Sequence, residues 1–252
     1  MDLRELPQNA FARHPWEIVR ADFFARLLRE HVRGNGLSAL DMGAGDGFFA
    51  GRLLGQVSSI ARITCFDLAY SEAWLRDKAA GPTALSFTAV RPTSNFDLVV
   101  LLDVIEHVAD DLATLREAAA MLKPGGWLLC SAPAYPALFS RHDVLLGHKR
   151  RYAPARLRAL AREAGLAILA QGQLFASLIL ARALAKLGEI ASGRSAAEPA
   201  AQVETALGTW RHGPIVTRTV TAALTLDALC SRSLAKHRLP WPGLSTWVLA
   251  KS

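Results

Sequence analysis

Leu37-Ser38-Ala39-Leu40-Asp41-Met42-Gly43-Ala44-Gly45-Asp46-Gly47 decides the fold, because an apolar run passes straight into a glycine cluster. Ser38–Met42 reads as a strand, Gly43–Gly47 as a tight turn, and the residues up to about Gly55 as a short helix. Ala61-Arg62-Ile63-Thr64-Cys65-Phe66-Asp67 then forms the next strand, which completes a βαβ unit. Gly43 and Gly45 let the backbone turn sharply and approach a ligand with no Cβ in the way. The spacing is GxGxG rather than the GxGxxG of dinucleotide binders, and Asp67 stands twenty residues beyond Gly47. A carboxylate at that strand end can accept from both hydroxyls of a ribose, so the ligand reads as an adenosine carrier.

Outward from this unit the alternation continues. Ser71–Ala80 fits a helix stopped by Gly81-Pro82, and Leu85-Ser86-Phe87-Thr88 fits a third strand. Asp97–Leu102 is a continuous apolar run, as in a strand buried on both faces. A helix over Asp110–Leu122 closes at Lys123-Pro124-Gly125-Gly126, and Trp127–Ser131 is the fifth strand. Ala155–Ala164 is helical, Leu166–Leu169 is the sixth strand, and Thr246–Ala250 is the seventh. Upstream, Trp16–Val32 forms an amphipathic helix ended at Gly34. The expected organisation is a single domain: an N-terminal cap over 1–36, a core over 37–170 and 244–252, and a helical insert over 171–243. That insert holds a helix from about Leu174 to Ile190, a linker at 192–202, and a helix from about Pro214 to Lys236.

Composition sets the bounds. The 252 residues are 51% hydrophobic and 20% charged, with 18 Gly and 12 Pro, which excludes a collagenous, low-complexity or globally disordered chain. Cys65, Cys130 and Cys230 show no CxxC spacing, so neither a disulfide framework nor a zinc ribbon is expected, and a reducing cytoplasm fits. The segment Met1–Pro7 lacks an apolar core, so no signal peptide is expected. No charge occurs between Glu163 and Arg182, yet Gly165 and Gln171-Gly172-Gln173 interrupt that stretch, which favours a strand followed by a helix over a membrane span. The net charge of +7 suits nucleic acid, an anionic membrane or an acidic substrate equally.

Four motifs in this order resemble the class I S-adenosylmethionine-dependent methyltransferases, of the type 11/12 kind, over roughly Leu37–Gly165. They are Asp41-x-Gly43-x-Gly45-x-Gly47, Asp67, the run from Phe96 to Val108, and Leu122-Lys123-Pro124-Gly125-Gly126 before the fifth strand. The resemblance implies a Rossmann-like, mostly parallel seven-stranded sheet of order 3-2-1-4-5-7-6. S-adenosyl-L-methionine would lie across the carboxyl ends of strands 1 and 4, where the strand order reverses. It further implies that Asp41, Gly43, Ala44 and Gly45 hold the methionine end, that Asp67 holds the ribose, and that Leu68, Asp103, Val104 and Ile105 line the pocket. Two positions depart from the pattern. Residues 90–95 offer no acid for the adenine amino group, and that link is short for a helical crossover, so either strand 3 ends early or the third helix is missing.

Tyr135–Tyr152, after the fifth strand, holds two histidines, one acid, four cations and two tyrosines. Its HDxxxGHxRRY run, and His14-Pro15-Trp16-Glu17 near the start, resemble stretches of related bacterial enzymes. His142 or His148 is a candidate acid/base, with Tyr152 beside them, and Arg150 and Arg151 are candidates for recognising a polar or anionic acceptor. The alternative is a solvated loop cemented to the core by its arginine pair. Asp103-x-x-Glu106-His107 resembles the ExxEH element of metal-dependent O-methyltransferases; a metal is not favoured, and if one were present Asp103, Glu106, His107 and His142 would be its ligands.

The insert's amphipathic helix, with Arg182 and Lys186 on its polar edge, suits a lid over a greasy acceptor, peripheral contact with anionic lipid at the inner face of the membrane, or packing on the sheet. The expected activity is methylation of a small-molecule or lipid-like acceptor. Methylation of RNA and a non-catalytic, cofactor-binding partner role are the alternatives, and the lack of an RNA-binding module counts against nucleic acid.

Overall fold

A computed structural model describes residues 13–79, 81–192, 210, 212–237, 239 and 241–252. Helix α1 (Pro15–His31) precedes β1 (Leu37–Met42), α2 (Phe48–Gln56), β2 (Ile60–Phe66), α3 (Glu72–Lys78), β3 (Leu85–Thr88) and β4 (Phe96–Leu102). Then come α4 (Asp111–Ala120), β5 (Leu122–Pro133), a short 3-10 turn at Pro136–Leu138, α5 (Arg141–Leu145), α6 (Pro154–Glu163) and β6 (Ala167–Leu174). The insert supplies α7 (Ser177–Ala191) and α8 (Pro214–Lys236) before β7 (Ser245–Lys251).

The strands form one seven-stranded sheet in the order β3-β2-β1-β4-β5-β7-β6, as expected. β1 pairs in parallel with β2 and with β4, whereas β7 runs antiparallel to both β5 and β6. Each face is closed by its own apolar layer. On one side Phe24 and Leu28 of α1, Leu53 of α2 and Leu224 of α8 meet Ala39, Leu98 and Trp247. On the other, Leu115 of α4 and Leu157 and Leu160 of α6 meet Leu40, Val99 and Val248. Each such fully buried side chain contributes roughly 1.5–3 kcal/mol of burial. Covered faces explain why β1, β4 and β7 read as continuous apolar runs.

Between β3 and β4 residues 89–95 form no helix, so the crossover helix is missing, one of the two outcomes foreseen. Two boundaries differ from the sequence reading. β6 runs on to Leu174, so the insert starts later than residue 171. Gly172 belongs in the strand because a Cβ there would lie 2.7 Å from Trp247 Cζ2. The first insert helix begins at Ser177, where Asp227 of α8 accepts from the Ser177 amide (2.7 Å) and hydroxyl (2.6 Å). Apart from Ser192, the linker expected at 192–202 lies outside the described residues. Among the described residues no helix is long and apolar enough to cross a membrane.

Of the leucines of helix α7, Leu178 at its start packs against the core, whereas those further along do not. The polar side of the helix faces inward: Arg182 reaches Asp143 (3.1 Å) and Ser140 Oγ (2.7 Å), and Glu189 accepts from the Arg141 amide (3.2 Å). Leu180, Leu184, Leu187 and Ile190 are exposed. Helical periodicity reveals two faces but not which one is covered.

Candidate functional site

β1 delivers Asp41 to the carboxyl edge of the sheet, and the chain then turns through Gly43 (φ +74°), Gly45 (φ +54°) and Gly47 (φ +76°), a region L side chains avoid. The Gly43 and Ala44 amides donate to Phe66 O at 2.8 and 3.2 Å. The Gly45 amide donates to Asp67 Oδ2 (3.0 Å), the Ala69 amide to Asp67 Oδ1 (2.9 Å), and Tyr70 Oη to Gly45 O (2.7 Å). Asp67 is therefore held against the turn, with Leu68 exposed beside it. Asp41 is buried, its Oδ2 has no hydrogen-bond partner among the described residues, and burial together with the carboxylates of Asp67 and Asp46 pushes its pKa up to about 7.

Across the turn, β4 ends at Leu102 and Asp103 takes φ +57°. The Asp103 amide donates to Ser131 O (3.0 Å), and Ser131 Oγ donates to Asp103 Oδ1 (3.3 Å). Val104 faces Gly43 and Ile105 is fully buried. The predicted cofactor residues thus gather at the β1–β4 switch point.

The N-terminal helix supplies residues that sequence reading missed. Arg20 of α1 forms an ion pair with Asp103, and Arg13 pairs with Asp46 and with Glu17 (3.3 Å) while its guanidinium lies 3.9 Å from the Phe48 ring centre. Arg13, Glu17, Arg20, Asp41, Gly43 and Phe48 line a small cavity of about 30 Å³. The signal lay in His14-Pro15-Trp16-Glu17. His14 caps α1 by accepting from the Trp16 amide (3.2 Å), and Pro15 opens the helix. Trp16 lies under the Arg20 guanidinium at 4.6 Å.

The segment after β5 is organised by one acid. Asp143 is fully buried and accepts from the Ser140 amide (3.0 Å), Ser140 Oγ (3.2 Å), Arg151 Nε (2.8 Å) and Arg182 (3.1 Å), and it pairs with His148 Nδ1 at 3.0 Å. Burial alone would raise its pKa, but His148, Arg151 and Arg182 outweigh that and hold it well below the usual carboxylate range.

His142 stands outside this hub, and its pKa is lowered to about 4 by burial and by Arg182. Arg150 donates to Asp111 Oδ2 (3.2 Å) and to the carbonyls of Val108 (3.2 Å) and Ala109 (2.9 Å). Tyr152, also buried, donates to Ile105 O (2.9 Å) or to Asp111 Oδ2 (3.0 Å). The structure places Arg150, Arg151 and Tyr152 in contacts that tie the segment to the β4 loop and to the Asp143 hub.

Glu106 is fully buried, neither of its carboxylate oxygens has a hydrogen bond among the described residues, and burial pushes its pKa up to about 8. His148 Nε2 lies 4.0 Å from Glu106 Oε1, and the His107 and His148 rings meet edge-on at 4.8 Å. One ligand atom each from Glu106, His107 and His148 fall within 4.8 Å of one another. The acid-histidine group foreseen for a metal is therefore assembled differently: His148 joins Glu106 and His107, whereas Asp103 is paired with Arg20 and His142 lies outside the group.

The sheet order, the glycine turn at the switch point and Asp67 define the chain as a class I S-adenosylmethionine-dependent methyltransferase, with S-adenosylmethionine as its cofactor. It belongs to the family described as a methyltransferase domain, which matches residues 11–171. Two relatives are named ubiquinone biosynthesis O-methyltransferase. The one from Thiobacillus denitrificans is 28% identical over 151 residues, 52% of this chain and 65% of that protein. The one from Nitrosospira multiformis is 27% identical over 194 residues, 66% of this chain and 81% of that protein. Among solved structures, an S-adenosylmethionine-dependent methyltransferase from Mesorhizobium loti shares the fold. Its TM-score is 0.55 at 17% identity, over 92% of this chain and 100% of that one.

Proposed function

We propose that the chain methylates a hydroxyl of a small-molecule or lipid-like acceptor, with His148 taking the acceptor's proton. The observation that carries this reading is the Asp143–His148 pair at 3.0 Å. Asp143, held ionised, orients the ring through Nδ1–H and leaves Nε2 to accept a proton. When bound, the cofactor would supply the methyl group from its sulfonium, and His148 Nε2 would take the proton that the acceptor hydroxyl gives up. The products are a methyl ether and S-adenosylhomocysteine. In-line displacement asks mainly for alignment, which Asp41, the Gly43–Gly45 turn and Asp67 give the donor. The relatives' names support oxygen as the methylated atom.

The test is production of S-adenosylhomocysteine on fractionated metabolites and lipids, with Asp41→Ala as the blank. His148→Gln is expected to lower kcat roughly 10²–10⁴-fold, as loss of a general base does, with His142→Gln within a few-fold of the parent. Equal losses in both variants would sink the assignment.

A second reading rests on Glu106. Its buried oxygens, without hydrogen bonds among the described residues and next to two imidazoles, fit a divalent cation, which Glu106, His107 and His148 would hold. Such an ion would supply Lewis acidity toward an acceptor oxygen. Full activity after EDTA, together with melting indifferent to added Mn²⁺ or Zn²⁺, would eliminate it. The exposed leucine stripe of α7 supports peripheral contact with anionic lipid at the inner face of the membrane, where a lipid-like acceptor would be found.

A further inference from the structure

At the open β6 edge of the sheet, α1, α6 and α8 wall a cleft of about 690 Å³ that shares no residue with the Asp41 cavity or the Asp143 hub. Its volume falls in the range of roughly 300–1,000 Å³ that small-molecule sites occupy.

The lining combines two chemistries. Phe23 and Leu27 of α1 and Trp247 of β7 supply apolar wall and floor. Leu169, 48% exposed, and Leu239, 53% exposed, leave more apolar surface in water at the same cleft. The register shift between Ile168 and Ala170 puts Leu169 out of the ladder, so its exposure is built into the strand. The Trp247 indole N–H is buried with no acceptor among the described residues.

Arginines form the second part. Arg158 and Arg162 stand one turn apart on α6, and neither guanidinium has a hydrogen bond or ion pair among the described residues. Arg232 enters from α8 and pairs with Glu30, the one acid among the described residues of the lining. Three guanidinium charges against one carboxylate leave the cleft with a formal +2. An apolar ligand would leave those forks unused, and a purely polar anion would leave the leucines in water.

We propose that this cleft is a second ligand site, separate from the cofactor crevice, for an amphiphilic anion: an alkyl or aryl body ending in a carboxylate or phosphate. Guanidinium groups hold such oxygens in pairs, and the body covers the exposed leucines. The same chemistry could arrive as a free metabolite or as a lipid headgroup with its chain, and the experiment separates them.

Titration calorimetry of the full chain with monomeric decanoate and dodecyl phosphate is expected to show saturable binding of one molecule per chain. Affinity should fall about ten-fold or more in Arg158→Glu/Arg162→Glu, as loss of charge-assisted bonds predicts, and also in Leu169→Gln. Dodecanol should bind more weakly than dodecyl phosphate, and affinity for S-adenosylhomocysteine should stay that of the parent in every variant, which also shows that each is folded. Absence of heat, unchanged affinity in the arginine variant, or equal binding of dodecanol would overturn the proposal. So would arginine-dependent capture by phosphatidylglycerol vesicles without binding of the monomers, since that would assign the arginines to a membrane surface.

Discussion

A Cβ at Gly43 would lie 2.6 Å from Val104 Cγ2, on a backbone already at φ +74°. Gly43→Ala is therefore expected to cost about 1–3 kcal/mol of stability through strain, and more in cofactor affinity, because the turn must move away from the crevice. Calorimetry with S-adenosylhomocysteine reads the loss, and an unchanged dissociation constant would contradict this role for the turn. Asp143 offers a second test. Removing its carboxylate in Asp143→Ala leaves Arg151 and Arg182 facing a buried hole, a change that costs about 3–5 kcal/mol in comparable buried pairs. The urea midpoint should fall accordingly. The two histidines illustrate what residue-level reading can and cannot find. Spacing made His142 and His148 equivalent candidates, and only the fold shows which one meets Asp143.

Local elements were the most legible, since a strand–glycine turn–helix is specified by residues adjacent in sequence. The alternation of apolar runs with helix caps gave all seven strands, and Pro214–Lys236 was read at its observed bounds. Contacts across the chain were not legible. Arg20 and Asp103 are separated by 83 positions, and no periodicity links them. Helix α7 shows the same limit, because its amphipathic pattern fits packing on the sheet, a lid or a lipid-facing surface. With Arg182 and Glu189 turned inward, the open face is apolar, and its placement predicts association with membranes. Flotation with phosphatidylglycerol vesicles should capture the parent chain and lose Leu184→Glu/Leu187→Glu, with melting temperature little changed because both side chains are already exposed. Equal capture of both proteins would place the contact elsewhere.

For the whole molecule the +7 balance and the buried acids act together. A net charge of +7 attracts anionic molecules to the protein, an attraction that salt weakens. Inside, burial favours the neutral form of Asp41. Its folded pKa is raised, so stability is fully present below the ordinary carboxylate value near 3.8 and is lost as pH climbs through about 7. The cofactor's methionine end carries an ammonium group, and if Asp41 meets it, binding must ionise Asp41 and release a proton. With a pKa of about 7, Asp41 is mostly neutral at pH 6 and mostly ionised at pH 8. Affinity for S-adenosylhomocysteine should therefore rise by about ten-fold between those values. Saturation at one hundred times the dissociation constant adds about 2.7 kcal/mol, which for a chain of this size raises Tm by roughly 5–10 °C. Melting scans at fixed ligand should show a larger shift at pH 8 than at pH 6, with Asp41→Asn giving a small, pH-independent shift. A parent protein whose shift is the same at both pH values would mean that Asp41 does not meet the ammonium.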